Sequence, residues 1–99
     1  MSITHVDFGG FSEITGQVIY DFTREALERV LVRIVGTGIY AATDSDGHYR
    51  LREVPPGVYT IKAALLGFTS EEHKGLLVGR DSLIVLNMSL HEYGVNHLR

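Results

Sequence analysis

Two aspartates on either side of Ser45 are the residues whose type and spacing most suggest chemistry. Asp44 and Asp46 come just before Gly47, and carboxylates at alternate positions can begin a calcium-binding loop. An EF-hand loop also needs a bidentate glutamate at its twelfth position, and counted from Asp44 that position is Pro55. The EF-hand is therefore excluded. A tight hairpin turn is predicted instead, because aspartates bond nearby amides and Gly47 tolerates positive φ; a looser calcium site at Asp44 and Asp46 stays open.

The other groups that can act as catalysts or ligands lack the necessary spacing. No two of the five histidines form an H-x-H or H-x-x-x-H pair, and no serine lies in a G-x-S-x-G motif. Glu71 and Glu72 are adjacent, so in a strand they would point to opposite faces and would not share a site. The chain has no cysteine, and therefore no disulfide and no zinc-thiolate site. We predict no catalytic residue, no metal site and no cofactor.

The composition indicates one small domain with an ordinary polar surface. The chain has 99 residues, of which 44% are hydrophobic and 21% charged, and its formal net charge is -3. Its lysines and arginines are scattered, so the sequence predicts no nucleic-acid partner. No apolar run approaches the ~20 residues that span a bilayer, and the N-terminus lacks the basic and apolar regions of a signal peptide. Direct membrane insertion is not expected, and the compartment stays open.

The elements that must position these residues are predicted to be strands. Hydrophobic residues alternate with polar ones at a period of two along most of the chain, which indicates seven short strands at 13–20, 29–35, 38–43, 48–52, 57–65, 73–79 and 82–90. The segment 23–30 has residues that favour a helix. It is too short to be stable alone, so it is predicted as a connection with at most one helical turn. A type II turn is predicted where Pro56 precedes Gly57.

Two motifs in the middle of the chain, at a fixed spacing, resemble a known family. The first is Thr43-Asp44-x-Asp46-Gly47-x-Tyr49, and the second is Val54-Pro55-x-Gly57-x-Tyr59. With Gly16-x-Val18 before them and Gly67-Phe68 after them, this order is similar to the carboxypeptidase regulatory-like domain of the transthyretin-like (prealbumin-like) superfamily. The resemblance implies an all-β fold, a seven-stranded antiparallel Greek-key β-sandwich at residues 13–91. Residues 1–12 would then form an N-terminal arm and 92–99 a C-terminal tail.

The resemblance also bears on function. It implies a non-catalytic module and favours an extracellular or periplasmic location. The same superfamily includes the 5-hydroxyisourate hydrolases, whose C-terminal signature is Tyr-Arg-Gly-Ser. This chain ends in Asn96-His97-Leu98-Arg99, so that signature is missing. We therefore expect that the protein is not an enzyme, and hydrolase activity is the least favoured of the alternatives.

A protein interface is the function that the pattern of apolar residues favours. Strand alternation directs several apolar side chains outward, and a group of these can form a contact site. The arm adds two more at alternate positions, next to the flexible Gly9-Gly10 pair. The predicted interface residues are Val6, Phe8, Leu31, Val35, Leu83 and Val85.

The partner of this interface is predicted to be another protein or a second copy of the chain. In the second case the arm would complete a neighbour's sheet and produce a homo-oligomer or filament. The alternative is a small-molecule or carbohydrate-binding module. The absence of tryptophan counts against a carbohydrate platform.

Overall fold

Two β-sheets pack face to face in a computed structural model that describes residues 10–94. One sheet has the order β4-β1-β9-β6 with β8 also beside β1, and the other has the order β3-β2-β5-β7. The strands are β1 (Ser12–Tyr20), β2 (Leu31–Ile34), β3 (Tyr40–Ala42), β4 (His48–Val54), β5 (Gly57–Ala64), β6 (Phe68–Thr69), β7 (Glu71–Val78), β8 (Leu83–Val85) and β9 (Met88–Glu92). The predicted all-β sandwich is confirmed. Its strand count of seven becomes nine in the described residues, because 82–90 is divided and β6 is added.

The core between the sheets is made of the residues that the alternation directs inward. Both sheets contribute to it, and buried side chains alternate with more exposed ones along parts of β1, β2, β4 and β5. The fully buried large side chains are Ile14, Ile34, Leu51, Ile61, Leu90, Val18, Val30, Val32, Val54 and Val78. No helix in residues 10–94 is long and apolar enough to cross a membrane.

Most strand pairs are antiparallel, and the two exceptions both involve β1. This strand is antiparallel to β4 on one side. On its other side it is parallel first to β8 and then to β9. β1 therefore pairs with three of the other strands of the first sheet, and β8 and β9 follow each other along one of its edges.

The predicted strand 82–90 breaks at Leu86 and Asn87 because a side chain replaces the backbone in the ladder. The amide of Leu86 still donates to the carbonyl of Thr15, at 2.7 Å. The next β1 amide, that of Gln17, donates instead to Oδ1 of Asn87, at 2.9 Å. The carbonyl of Leu86 therefore makes no ladder bond to Gln17, and β8 ends at Val85, one residue before Leu86.

The segment 23–30 is a connection, as predicted, and it contains no helix. Its backbone takes left-handed φ values at Arg24 and Arg29, and these do not occur inside a right-handed helix. Thr43 holds the segment in place. Its hydroxyl accepts from the amide of Val30 at 2.9 Å and donates to the carbonyl of Leu27 at 2.6 Å. Leu27 packs against the core.

The type II turn predicted at Pro56 and Gly57 is wrong. Gly57 is the first residue of β5 and is not among the residues with positive φ, whereas Glu53, at the end of β4, has a φ of 56°. Gly57 nevertheless lies in a tight site. A Cβ on Gly57 would lie 3.0 Å from the ring of Tyr59, whose hydroxyl donates to the carbonyl of Pro55 at 2.7 Å.

Candidate interaction surface

The Asp44 turn is built from hydrogen bonds within the protein. Oδ1 of Asp44 accepts from the amides of Asp46 and His48, both at 2.9 Å. Gly47 has a φ of 78°, as the sequence predicts, and its amide donates to the carbonyl of Asp44. The turn joins β3 to β4, which belong to different sheets, so it is a crossover between layers and not a hairpin.

The charges of this turn are consistent with a structural role. Hydrogen bonds from backbone amides, chiefly that of His48, lower the pKa of Asp44 from its usual value. The side chains of Asp44, Asp46 and His48 place one ligand atom each within 4.8 Å of the others, and all three residues are exposed. The same Asp44 oxygen already accepts two hydrogen bonds, and these account for the turn's conformation.

The histidines in the described part of the chain do not converge on one site. His48 lies on β4, His73 on β7 and His91 on β9. His91 is exposed, and its Nδ1 lies 3.2 Å from Oδ2 of Asp21. His5 and His97 lie outside the described residues. In residues 10–94, no buried side-chain nitrogen or oxygen lacks a hydrogen-bond partner.

The predicted interface residues divide between the outer faces of the two sheets. Leu31 and Val35 lie on the β3-β2-β5-β7 side and are 41% and 40% exposed. Leu83 and Val85 lie on the opposite side, on β8, and are 67% and 65% exposed. All four point outward as predicted, but one flat surface cannot include both pairs. Val6 and Phe8 lie outside the described residues.

Leu83 and Val85 form one wall of an open concavity on the outer face of the first sheet. Its floor consists of outward side chains of β1 and β4, among them Thr15, Gln17, Arg50 and Arg52. We call this concavity, together with the outer edge of β8, the β8 surface. Charged groups lie beside its apolar wall: Nε of Arg50 is 3.7 Å from Oε1 of Glu13, and no described carboxylate lies within ion-pair distance of Arg52.

The backbone of β8 is bonded on one side, where β1 lies. The residues that flank β8 bond to β1 through the carbonyl of Ser82 and the amide of Leu86. Successive residues of a strand direct their backbone groups to alternate sides, so the N–H and C=O groups of Leu83 and Val85 point away from β1. Among the described strands, none lies on that side of β8. The β8 surface therefore combines open backbone hydrogen-bonding groups with two exposed apolar side chains.

Residues 13–91 match the carboxypeptidase regulatory-like domain family. The chain belongs to this family. Among curated proteins, none matches the chain. The match contains the Asp44 turn, the whole of β8 and most of β9, so the β8 surface is part of the family domain.

Several solved structures share the fold of this carboxypeptidase regulatory-like domain. A type II cohesin-X-dockerin complex from Acetivibrio cellulolyticus matches with 23% identity and a TM-score of 0.70, over 80% of this chain and 56% of that one. A candidate carbohydrate-binding protein from Bacteroides uniformis matches with 20% identity and a TM-score of 0.62, over 83% and 42%. The pilus 2b backbone protein of group B streptococcus matches with 15% identity and a TM-score of 0.55, over 81% and 40%.

These similarities concern the fold. The domain spans 56% or less of the length of each of the three chains, and the identities are low.

The other strand edges of the described residues differ from that of β8. The edge strand β7 is eight residues long but carries Glu71, Glu72 and Lys74, and charged residues discourage pairing with other chains. β4 has arginines at positions 50 and 52. β3 and β6 are three and two residues long. β8 is also short, but its outward side chains, Leu83 and Val85, are apolar.

Three exposed apolar residues on the second sheet were missed by the sequence analysis. Tyr40, Val58 and Leu77 lie on the outer face of the β3-β2-β5-β7 sheet and are more exposed than Leu31 or Val35. The sequence does indicate their outward direction, because each is next to a residue that points inward. A row of charged side chains crosses this face between the apolar residues, formed by Arg33, Lys62 and Glu72.

Proposed function

We propose that this carboxypeptidase regulatory-like domain is a non-catalytic protein-binding module whose contact site is the β8 surface. The observation that carries the proposal is the combination found on β8. Leu83 and Val85 are about two-thirds exposed, and their backbone N–H and C=O groups point away from β1. A partner that supplies an extended segment gains main-chain hydrogen bonds and apolar contacts at the same place.

The partner that fits this surface is a second copy of the chain. The arm before β1 contains Val6 and Phe8 at alternate positions, next to a Gly9-Gly10 joint. That pattern is typical of a strand with one apolar face, which matches the spacing of Leu83 and Val85. Self-association through this surface gives a homo-oligomer or filament.

A non-catalytic role is supported by the placement of the titratable groups. The described histidines lie on three separate strands, and the Asp44 carboxylate takes part in the hydrogen bonds of its turn. The proposal therefore assigns the domain to binding and assembly.

Light scattering of the intact chain tests this proposal. At ~100 μM, well above micromolar dissociation constants, the chain is expected to be oligomeric. The variant Leu83→Lys/Val85→Lys is expected to be monomeric, because two lysines block both the apolar contact and the strand edge. The matched control is Val58→Lys/Leu77→Lys, whose positions are equally exposed on the other sheet; it is expected to associate like the natural chain.

Two results would contradict the proposed function. The first is a natural chain that is monomeric at that concentration. The second is equal association of the β8 variant and the control. Circular dichroism of both variants checks that they are folded, and surface substitutions of this kind usually change stability by less than about 0.5 kcal/mol.

A small-molecule or carbohydrate site is the second candidate, and one feature favours it. The concavity is lined by polar side chains that can bond sugar hydroxyls, including Gln17, Arg50, Arg52 and Asn87. The likeness to the Bacteroides uniformis protein gives the same suggestion. The aromatic residue that lines the concavity, Tyr49, is buried, so it offers no ring face on which a sugar stacks. A glycan array with saturable binding that Arg52→Ala abolishes would favour this second function over the first.

A further inference from the structure

We infer that β8 of one copy pairs antiparallel with β8 of a second copy, across a two-fold axis at Ile84, so that the two first sheets join into one. This inference rests on the proposed function and names the segment of the second copy that occupies the contact site. The product is a closed dimer, because a two-fold contact uses the same surface on both copies.

The hydrogen-bonding groups on the outer edge of β8 are complementary to themselves. Opposite residues of an antiparallel pair alternate between exchanging two main-chain bonds and exchanging none. β8 has three residues, and the outward groups belong to the first and third, Leu83 and Val85. A second copy in the reverse direction places its Val85 opposite Leu83 and its Leu83 opposite Val85. Each of these two pairs exchanges two bonds, and together they satisfy every outward N–H and C=O group of both β8 strands.

The side chains of the two strands match in the same register. Each opposed pair joins Leu83 of one copy to Val85 of the other, and both are about two-thirds exposed in the single chain. Apolar pairs across neighbouring strands stabilise a sheet. Ile84 lies on the axis, and its side chain packs against the core on the inner face but is only partly buried. Pairing sets it beside Ile84 of the second copy, so the contact is apolar on both faces of the joined sheet.

The charged residue of β1 next to β8 does not oppose this arrangement. Glu13 lies beside Leu83 and Thr15 lies beside Val85, so the reversed copy places its Thr15 in the same row as Glu13. Three strand spacings, or about 14 Å, separate these two residues, and the Glu13 carboxylates of the two copies are farther apart still. Salt largely screens exposed charges at such distances, so the two β1 strands do not repel each other across the axis.

The backbone on either side of β8 confines the pairing to this strand. Asp81 has a left-handed φ of 51°, so the chain turns away from the strand direction before Ser82. At the other end, the side chain of Asn87 bonds to the amide of Gln17 on β1, and β8 ends at Val85. A contact of this length is small, and small contacts are typical of transient pairs. A covalent trap is therefore the suitable measurement.

Cysteine pairing between separate chains tests the register, because the natural chain has no cysteine. Leu83→Cys in one chain and Val85→Cys in a second, mass-tagged chain are mixed at ~100 μM, oxidised and analysed by mass spectrometry. Residues that exchange two bonds have Cα atoms about 5.5 Å apart, which suits a disulfide. Two copies of the same residue lie diagonally, about 7–8 Å apart, which exceeds the usual range. The mixed disulfide is therefore expected to exceed either like-with-like disulfide about tenfold.

The matched control is Val58→Cys mixed with mass-tagged Leu77→Cys, because these two positions are similarly exposed on the other sheet. Its disulfides are expected in random proportions, with as much mixed product as both like-with-like products together. Random proportions in the mixture of Leu83→Cys and Val85→Cys, or a preference for like with like, overturn the inference. If association nevertheless depends on Leu83 and Val85 in light scattering, the proposed function stands and another segment of the second copy meets β8.

Discussion

The hydroxyl of Tyr49 donates a hydrogen bond to the backbone carbonyl of Leu86. Tyr49 lies on β4, directly opposite Gly16 of β1, and its ring passes over the glycine to reach the far side of that strand. The bond is available because Oδ1 of Asn87 takes the β1 amide that would otherwise bond to Leu86. Tyr49 thus bonds the carbonyl that Asn87 releases at the end of β8.

Tyr49→Phe is expected to destabilise the domain by about 1–2 kcal/mol, because the substitution removes a buried hydrogen bond and leaves a carbonyl without it. The matched control is Tyr59→Phe, which removes a hydrogen bond at a more exposed site and should cost less than about 1 kcal/mol. Denaturant melts of both variants measure the difference. Equal decreases in the free energy of unfolding would mean that the bond from Tyr49 to Leu86 stabilises the domain no more than the exposed bond of Tyr59.

Gly16→Ala is expected to be more severe, at about 3 kcal/mol or more, because a tightly packed site has no room for a methyl group. A Cβ at Gly16 would lie 1.8 Å from the carbonyl oxygen of Leu86, which belongs to the backbone and has little freedom to move. At Gly38 there is open space and φ is not positive, so Gly38→Ala should change stability by less than about 1 kcal/mol. Thermal melts that show similar effects at both glycines would contradict this close approach.

The stabilising effect of Asp44 is expected to depend on pH. The pKa of Asp44 is lower in the folded state than in the unfolded state, so its stabilising effect is present above about pH 4 and is lost as the pH falls through the folded value. Asp44→Asn keeps an oxygen acceptor but does not titrate. The difference in unfolding free energy between the natural chain and this variant should shrink between neutral pH and about pH 3, and parallel curves would contradict the assignment.

Calcium is expected to leave the melting temperature unchanged at millimolar concentration. The ion takes about six to eight oxygen ligands, whereas Asp44, Asp46 and His48 supply one ligand atom each and are exposed. A scanning-calorimetry experiment with and without calcium checks this. A rise of several degrees that disappears in Asp44→Asn would show that the turn binds the ion.

The strands and the core were predictable because they depend on local alternation. Inward positions such as Ile14, Leu51 and Ile61 follow from a period of two, and the structure buries all three. The break at Leu86 was not predictable, because it depends on Asn87 meeting Gln17, which lies 70 residues away along the chain. The only local indication of the break was the polar residue Asn87 within the otherwise apolar segment 83–88.

The candidate site was predictable in part for the same reason. Alternation gives the face on which Leu31, Val35, Leu83 and Val85 lie, and each is exposed as expected. It does not give the sheet to which a strand belongs, because sheet order depends on contacts between distant segments. The sequence therefore grouped four residues that the fold separates into two pairs.

Amide hydrogen exchange of β8, measured by NMR at low and at high protein concentration, tests the central claim most directly. The amide of Ile84 faces β1 and should be protected at both concentrations. The amides of Leu83 and Val85 point away from β1, so they should exchange rapidly in the dilute chain and become protected in the concentrated one. If Leu83 and Val85 exchange rapidly at both concentrations while the rest of the sheet is protected, the edge of β8 is not a contact between copies and the account is contradicted.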